Sequence, residues 1–431
     1  MATKSNRGRL AVFAGICAVA SLALAACSSS GPDASNGEEN ITIRIAMGSS
    51  GDAVDSQWDA LAERYHEKYP NRTLEPVIQE DDIYQTTGLP TLLSSREAPD
   101  AYFEWSGPRM RGHVADGDGY DLSTALKGEL FAGRFNDGAF TNMDVDGKGI
   151  YMVPWTGDVT NVVWYDKAVF AELGLSVPTT WDQYLAVNKA ILDSGKTPLV
   201  FGNKDQWPVG SVASHLVSRV IGEDLYSDTM DGKAPLNSPE MVDAFGYLAS
   251  LAPYVNKSVN ALADDEANTQ FFLQKAASIQ IGSWLMADAA TEADGLDFDY
   301  FNLPAIPAGK GDQSSVLGIS TGFMLNANSP HVEETIDLLA MLVDAESTKA
   351  WAEAGLAPMT IDPFVGVDAD PRTVSLAEML SSAGTVVAPA DSGHDIEIAA
   401  AFYDAAASVI GGTSTPQEAL DTAQSRMDSA G

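Results

Sequence analysis

Just after residue 40, apolar and polar positions alternate, and further along the chain apolar positions recur at helical spacing. The stretch "ITIRIAM" at 41–47 is alternating and β-branched, which predicts a strand. Apolar positions from Val54 to Tyr65 repeat every three or four residues, which predicts a helix that Pro70 ends. Strands are predicted again at "TLEPVIQ" and "PDAYFEW", with a helix over 84–96 between them. This β-α-β-α-β order predicts a parallel sheet with helices on both faces.

A second α/β pattern follows. The stretch 147–165 is extended with a Pro-Trp break in its middle, and "TTWDQYLAVNKAILDSG" after it predicts a helix. Further strands are predicted at "TPLVFG", "KAASIQIGSW" and "FDYFNLPAIP", with a helix after Trp207. Helices near the C-terminus are predicted at 331–343, 346–354, 373–383, 396–409 and 416–428. Two α/β units without a long linker indicate two lobes joined by crossing strands.

The N-terminus carries a separate pattern. Three cations precede an apolar run over 10–24, which is too short for a membrane-spanning helix and is typical of a secretory signal, predicted at 1–26. The run ends in "LAAC", which resembles the bacterial lipobox, in which the cysteine carries a diacylglycerol. We therefore expect cleavage before Cys27, lipidation of that residue and attachment to the outer face of the cell membrane. The alternative is an ordinary signal peptide with a chance cysteine. Residues 27–40 are polar and predict a flexible tether.

Charge and cysteine content narrow the function classes. The formal net charge is −35, and loss of the leader with its three cations makes it −38. Such an acidic chain is a poor candidate for direct binding to nucleic acid or anionic lipid. Cys17 lies inside the leader and Cys27 is the only other cysteine, so no disulfide is expected after cleavage. The chain is long enough to depend on its hydrophobic cores.

Six stretches carry a further pattern. They are "QWDALAERYHEKYPNRTLEPV", "LLSSREAPDAYFEW", "VVWYDKAVFAELGLSVPTTWDQYLAVNKAILDSGKTPL", "FFLQKAASIQIGSWLM", "LGISTGFMLNANSPHVEETIDLLAMLVDAESTKAWAEAGLAP" and "GGTSTPQEALDTAQSRMD". In this order they resemble the extracellular solute-binding lipoproteins of ABC importers, in the sugar-binding branch with the maltose-binding-protein type of fold. The resemblance covers nearly all of residues 41–428.

The resemblance implies an α/β, two-lobed periplasmic-binding-protein-like fold of type II, with lobes joined by crossing hinge strands. We place the crossings near 154–158, 316–323 and 355–360. Lobe one is expected to hold 41–155 plus 316–356, and lobe two 156–315 plus 357–431. A carbohydrate ligand, ABC permease subunits in the membrane as partners, a monomeric state and the absence of a cofactor are also implied.

Candidate ligand-binding residues follow from the rule that open α/β sheets bind ligands beyond the carboxyl ends of their strands. A sugar offers C–H faces for aromatic stacking and hydroxyls for carboxylates and amides. From strand ends and element ends we predict that the ligand-binding residues are Ser50, Glu104, Trp105, Trp155, Asp158, Trp207 and Trp284. The other four tryptophans, at 58, 164, 181 and 351, are predicted to be structural.

Two candidates depend on the resemblance. Trp284 matches a Gly-Ser-Trp position that often stacks on sugar in the family. Asp395, in "PADSGHDIE", matches a stretch where some members place a ligand-binding aspartate, although it could equally be the N-cap of the helix that follows.

Other functions stay open. A surface glycosidase would use two carboxylates, but among 60 acidic residues such pairs are unavoidable and uninformative. The five histidines form no metal-spaced cluster and no glycine-rich phosphate loop occurs, so we expect no enzyme and no metal site. The same fold could instead bind a polyamine, a peptide or a polyol phosphate, the last through Arg109 or Arg111. An adhesin or sensory lipoprotein is a further alternative.

Overall fold

A computed structural model describes residues 40–140, 143–145 and 147–430. The predicted signal peptide, Cys27 and the tether up to residue 39 lie outside the described residues. The strands are β1 Ile41–Gly48, β2 Arg72–Gln79, β3 Ala101–Trp105, β4 Val153–Val159, β5 Val162–Asp166, β6 Thr197–Val200, β7 Ala276–Ile281, β8 Phe298–Phe301, β9 Val316–Leu325 and β10 Val386–Val387.

Helices surround these strands. The α-helices are α1 Asp52–Lys68, α2 Asp81–Ile83, α3 Leu89–Leu93, α4 Pro108–Asp116, α5 Ser123–Leu126, α6 Lys167–Glu172, α7 Trp181–Asp193, α8 Trp207–Ile221, α9 Glu223–Met230, α10 Pro239–Leu251, α11 Asp264–Phe272, α12 Leu285–Glu292, α13 Val332–Leu342, α14 Ala345–Glu353, α15 Pro371–Ser382, α16 Ala390–Gly393, α17 Ile396–Ile410 and α18 Pro416–Ala430. No helix in the described part of the chain is long and apolar enough to cross a membrane.

The first sheet has the strand order β10-β9-β3-β1-β2, and β4 also pairs with β9. Strands β1, β2 and β3 are parallel, as their β-α-β-α-β order predicts. Strand β9 returns antiparallel to both β3 and β4, so the predicted all-parallel sheet is mixed instead. The β-α-β-α-β pattern covers only β1 to β3, and β9 joins the sheet from a later part of the chain. We call the lobe built on this sheet lobe one.

The second sheet has the order β6-β7-β5-β8, and it is the centre of lobe two. Strand β6 is parallel to β7, whereas β5 is antiparallel to both β7 and β8. Helix α7 beside it starts with a capping box, in which Thr180 and Gln183 each accept a hydrogen bond from the backbone N–H of the other. These local contacts explain why the "TTWDQ" stretch begins a helix where the sequence predicts one.

The lobes meet where β4 and β9 pair. The predicted Pro-Trp break is a bulge inside β4, where the register shifts between Pro154 and Gly157. The segment after α14 runs alongside, since Thr156 forms a bridge with Pro358. Three chain segments therefore lie together at the predicted crossings. The residue boundaries of the two lobes stay a prediction.

Each lobe has its own apolar core. The rings of Trp58, Trp155, Phe323 and Trp351 cluster in lobe one, with centroids 5.1–6.1 Å apart. Lobe two buries a larger cluster in which α8, α10 and α17 pack together. Trp58, Trp164, Trp181 and Trp351 are all at most 2% exposed, so the prediction that they are structural is confirmed.

The predicted helix over 84–96 takes a less regular form. Helix α2 leads into a π-helical turn at Tyr84–Gly88, which leads into α3. Gly88 lies against the side chain of Gln79, where a Cβ would fall 1.9 Å from Oε1, and Pro90 sits in the first turn of α3. Glycine and proline together therefore distort the helix without ending it.

Candidate functional site

A cavity of about 380 Å³ lies between the two sheets at the carboxyl ends of β1, β2, β3 and β7. The turn after β1, the end of β3, the β4–β5 crossing and the start of α12 all contribute to its wall. This is the place where the strand-end rule expects a ligand. Of the eight residues predicted to bind ligand, six line this cavity: Ser50, Trp105, Trp155, Asp158, Trp207 and Trp284. Glu104 and Asp395 do not line it.

Two tryptophans form one aromatic corner of the cavity. The rings of Trp207 and Trp284 lie 5.6 Å apart at an interplanar angle of 57°. Trp284 packs over Gly282, where a Cβ would fall 2.1 Å from the indole Cζ3. The glycine of the "GSW" motif therefore makes the room that the indole occupies. Such rings offer flat apolar faces on which the C–H groups of a ligand can stack.

Trp155 belongs to both the core and the site. Its side chain is 4% exposed, and in the described part of the chain its Nε1 donor has no hydrogen-bond partner. Thr160, also 4% exposed and on the cavity wall, leaves its Oγ1 unpartnered in the same way. Buried polar groups are normally satisfied, so both are positioned to bond to a polar ligand.

Glu104 lies behind the wall. It is fully buried and accepts hydrogen bonds from Arg109 Nε at 3.0 Å and from the Trp105 backbone N–H at 2.9 Å, while His113 Nε2 lies 3.0 Å from Oε2. Burial alone would raise the pKa of the Glu104 carboxyl, but Arg109 and His113 outweigh it and hold that pKa below its usual range. Because Arg109, the Trp105 backbone and His113 already contact the two carboxylate oxygens, Glu104 is not placed to accept hydrogen bonds from a ligand.

Glu104 instead positions Arg109. The Arg109 guanidinium lies over the Trp105 ring, 4.8 Å from its centroid, and lines the cavity. Trp105 also meets Phe103 edge-on at 4.8 Å. Side chains alternate along a strand, so Phe103 and Trp105 share the cavity face of β3 while Glu104 points to the opposite face.

Asp158 lies on β4 at the crossing between the lobes. Its carboxylate accepts hydrogen bonds from Ser283 Oγ at 2.9 Å and Thr156 Oγ1 at 3.1 Å. Burial raises the pKa of Asp158, and these two bonds offset part of that rise. Ser283 follows β7, so this contact ties the end of one sheet to a crossing strand of the other.

Asp395 occupies the helix-capping position that the sequence left open. It is exposed, and its carboxylate accepts hydrogen bonds from the backbone N–H groups of Glu397 at 2.9 Å and Ile398 at 3.2 Å, which caps α17. Asp391, four residues earlier in the same stretch, lines the cavity instead. The stretch therefore reaches the site through a different aspartate from the one predicted.

Sequence reasoning also missed an acidic wall. Asp81 follows β2, and the strand-end rule applied to that strand would have found it. The other members come from α11 and α12: Asp264, Asp265, Asn268, Asp288 and Glu292. Burial raises the pKa of both Asp81 and Asp288 to about 6, as expected for carboxylates whose charge is poorly compensated.

A second cavity, of about 950 Å³, lies on the other side of the crossing strands. Its wall is mainly small and aliphatic, with contributions from β9, α15 and the segment 357–365. It has one aromatic ring, Phe364. The smaller cavity combines aromatic faces with many carboxylates, so it is the better candidate for a polar ligand. In the described part of the chain, no group of three or more His, Cys, Asp or Glu side chains could hold a metal ion.

Comparison with known proteins identifies the family of the chain. Residues 48–349 match the family model described as bacterial extracellular solute-binding protein. An uncharacterized ABC transporter extracellular-binding protein of Pyrococcus horikoshii is 26% identical over 343 residues, which is 77% of this chain and 74% of that protein.

Solved structures share the fold. One, from work on xylan utilization by the thermophilic bacterium Caldanaerobius polysaccharolyticus, has a TM-score of 0.83 and 22% identity, covering 90% of this chain and 100% of that one. A chitin oligosaccharide binding protein has a TM-score of 0.79 and 22% identity, covering 90% and 98%. The two-lobed architecture predicted from the sequence is thereby confirmed.

Proposed function

This chain belongs to the family of bacterial extracellular solute-binding proteins, and on that premise we propose that it captures a carbohydrate between its lobes and delivers it to an ABC transporter. The observation that carries the proposal is the joint presence of the Trp207–Trp284 corner and buried acceptors in one cavity. A pyranose stacks its C–H face on the first and donates its hydroxyls to the second. The similar structures named for xylan utilization and chitin oligosaccharide binding support this ligand class.

Capture works through contacts from both lobes. Trp105 stands on the sheet of lobe one, and Trp284 follows β7 of lobe two. A ligand that touches both favours the closed arrangement only by contacts that the open arrangement lacks. The crossing at β4 and β9 is the segment about which the lobes would move, and Asp158 lies on it with its bond to Ser283.

The remaining parts of the proposal concern location and partners. A lipid on Cys27 would hold the protein at the outer face of the cell membrane, with residues 28–40 as a tether to the first strand. The closed form would dock as a monomer on permease subunits. Mass spectrometry of the membrane fraction tests the anchor, because a diacylglyceryl group on Cys27 adds a defined mass that a Cys27→Ser variant lacks.

Arg109 bears on the alternative ligands. A phosphate ester needs an available cation, and Arg109 is the cation on the cavity wall within the described residues, already paired with Glu104. A polyol phosphate is therefore disfavoured. The excess of carboxylates does favour one second candidate, a polyamine, which would leave the tryptophan corner without a stacking partner.

A thermal-shift screen of the purified protein separates these candidates. Mono- and oligosaccharides, polyamines and short peptides are added in turn, and a ligand that binds only the native state raises the melting temperature by mass action. We expect shifts with a saccharide series, and recovery of that saccharide unchanged after incubation. Shifts with polyamines or peptides alone would contradict the carbohydrate proposal, and a cleaved saccharide would indicate an enzyme.

A further inference from the structure

One end of the cavity consists of hydrogen-bond acceptors. Asn268 on α11 lines it and is 4% exposed. Its Nδ2 donates to Asp288 Oδ2 at 3.2 Å, whereas its Oδ1 has no hydrogen-bond partner in the described part of the chain. Asp288 takes one N–H of the amide, and the side-chain atom left with no partner is the acceptor Oδ1. A buried carbonyl oxygen without a partner indicates that a donor is missing.

Carboxylates of α11 and α12 line the same cavity as Asn268. Asp264 and Asp265 lie one turn before Asn268 on α11, and Glu292 lies one turn after Asp288 on α12. We call these five side chains the acceptor pocket: Asp264, Asp265, Asn268, Asp288 and Glu292. Lobe one closes the pocket from the other side, where Asp288 Oδ1 is 2.6 Å from the position that a Cβ on Gly51 would take.

The wall of the cavity offers little positive charge to Asp265 and Asp288. The described residues that line the whole cavity include nine carboxylates and a single basic side chain, Arg109. The Arg109 guanidinium donates to Glu104 and lies over Trp105, so it serves lobe one. Burial, with the charge of Glu292 adding to it, raises the Asp288 pKa to about 6. A cation at the pocket would offset this cost, since an opposite charge favours the ionised carboxylate.

Trp284 of the aromatic corner lies at the start of α12, the helix that carries Asp288 and Glu292 of the pocket. Trp284 immediately precedes α12, and Asp288 follows it by four residues, which places both on one face about one turn, ~5.4 Å, apart. A ring stacked on Trp284 therefore has a substituent within reach of the pocket. The spacing therefore fits one small molecule that has both a ring to stack on Trp284 and a positively charged substituent. An extended polyamine has the charge but lacks the face.

We propose, building on the carbohydrate function proposed above, that the ligand is an amino sugar whose ammonium group is bound by the acceptor pocket while its ring stacks on Trp284. An ammonium carries three donors and one positive charge. Asn268 Oδ1 takes one donor, and the carboxylates of Asp288 and Asp265 take the others. Trp155 Nε1 and Thr160 Oγ1 bind the ring's hydroxyls.

Matched ligands test the inference by calorimetric titration at pH 7. Glucose, 2-amino-2-deoxyglucose and its N-acetyl derivative share one skeleton and differ only at C2, and the galactose and β-1,4-linked disaccharide series repeat the comparison. In the skeleton that binds, we expect the free amine to bind at least tenfold more tightly than either neutral partner. A neutral sugar that binds as tightly as the amine would overturn the inference and leave the carbohydrate function intact.

Variants locate the effect. Asn268→Ala removes the unpartnered oxygen, and Asp288→Asn removes one charge at nearly constant shape; each should reduce amine affinity at least fivefold and neutral-sugar affinity less than twofold. Glu378→Gln is the control, because Glu378 is an exposed carboxylate on the second cavity. Equal losses for amine and neutral sugars would assign the pocket a merely structural role. Binding of polyamines or peptides with no saccharide bound would instead overturn the proposed function itself, and the inference with it.

Discussion

Two carboxylates beside the cavity, Glu104 behind the wall of lobe one and Asp288 on the wall of lobe two, differ in how their charge is compensated. On lobe one, Glu104 is fully buried, but Arg109 and His113 contact its carboxylate and hold its pKa down. On lobe two, Asp288 is partly buried, its side-chain hydrogen bond comes from neutral Asn268, and desolvation raises its pKa to about 6. The first arrangement is complete without a ligand and stabilises the fold. The second is incomplete, which is the property expected of a surface that binds something.

Removing Glu104 should have the largest effect on stability. Glu104→Ala would leave Arg109 and His113 without their buried partner, and we expect a loss of about 3–5 kcal/mol in the free energy of unfolding. Denaturant titration followed by circular dichroism measures it. The matched change on the other wall, Asp288→Ala, should cost much less. Comparable losses of stability for the two variants would contradict the difference inferred between Glu104 and Asp288.

Removing Trp284 should have the largest effect on binding. Trp284→Ala deletes the stacking face, and we expect at least a tenfold loss of carbohydrate affinity, about 1.4 kcal/mol, by calorimetry. Trp284→Phe keeps an aromatic face and should retain most of the affinity. An unchanged dissociation constant for the alanine variant, with its fold intact, would remove Trp284 from the site.

The uncompensated charge of Asp288 should appear as a pH dependence. In the folded protein the pKa of Asp288 is raised to about 6, above its value in the unfolded chain. Its contribution to the free energy of unfolding is therefore fully favourable below the unfolded pKa and is lost as pH rises through 6. Asp288→Asn should therefore raise the melting temperature of the ligand-free protein at pH 7 by about 2 °C, with the gain disappearing near pH 4.

The quantity to compare across pH is the difference in melting temperature between the Asp288→Asn variant and the parent protein. Buried His215 has its pKa lowered well below the usual value, so it makes the parent less stable as pH falls below about 6.5 and opposes the Asp288 effect. This term is shared by both proteins and cancels in the difference. A difference that is independent of pH between 4 and 7 would show that Asp288 is compensated after all.

The smallest effect is expected at Asp395. Asp395→Ala removes the N-cap of α17 at an exposed helix end, and we expect a loss of about 0.5–1 kcal/mol in stability with no change in affinity. Asp391→Asn, on the cavity wall, should instead reduce ligand affinity and leave stability unchanged. A clear loss of affinity in the Asp395 variant would restore it as a ligand-binding residue.

The fold was predictable from apolar periodicity, and part of the cavity lining was predictable from the strand-end rule. Apolar periodicity located β1 to β3 and most of the C-terminal helices, and the turn after a strand points to Ser50 and Trp284 without further information. Glu104 shows the limit of that rule. Adjacent residues at the end of β3 face opposite sides, so Trp105 lines the cavity while Glu104 lies behind it.

The acceptor pocket could not be predicted in the same way. Asp264, Asn268 and Glu292 lie on helices, and they meet at the cavity only because α11 packs beside α12. A periodic pattern predicts a helix but does not say which neighbour it packs against. Among 60 acidic residues, the few that face a cavity become recognisable only when tertiary contacts are known.

The central claim is that the tryptophan corner and the carboxylates between the lobes bind a carbohydrate. Isothermal titration calorimetry of the purified protein with the saccharide series, run in parallel on Trp284→Ala, tests it most directly. The account predicts one saccharide bound per chain, with affinity at least tenfold weaker in the variant. Saturable binding of a polyamine or peptide, together with no heat from any saccharide, would contradict it.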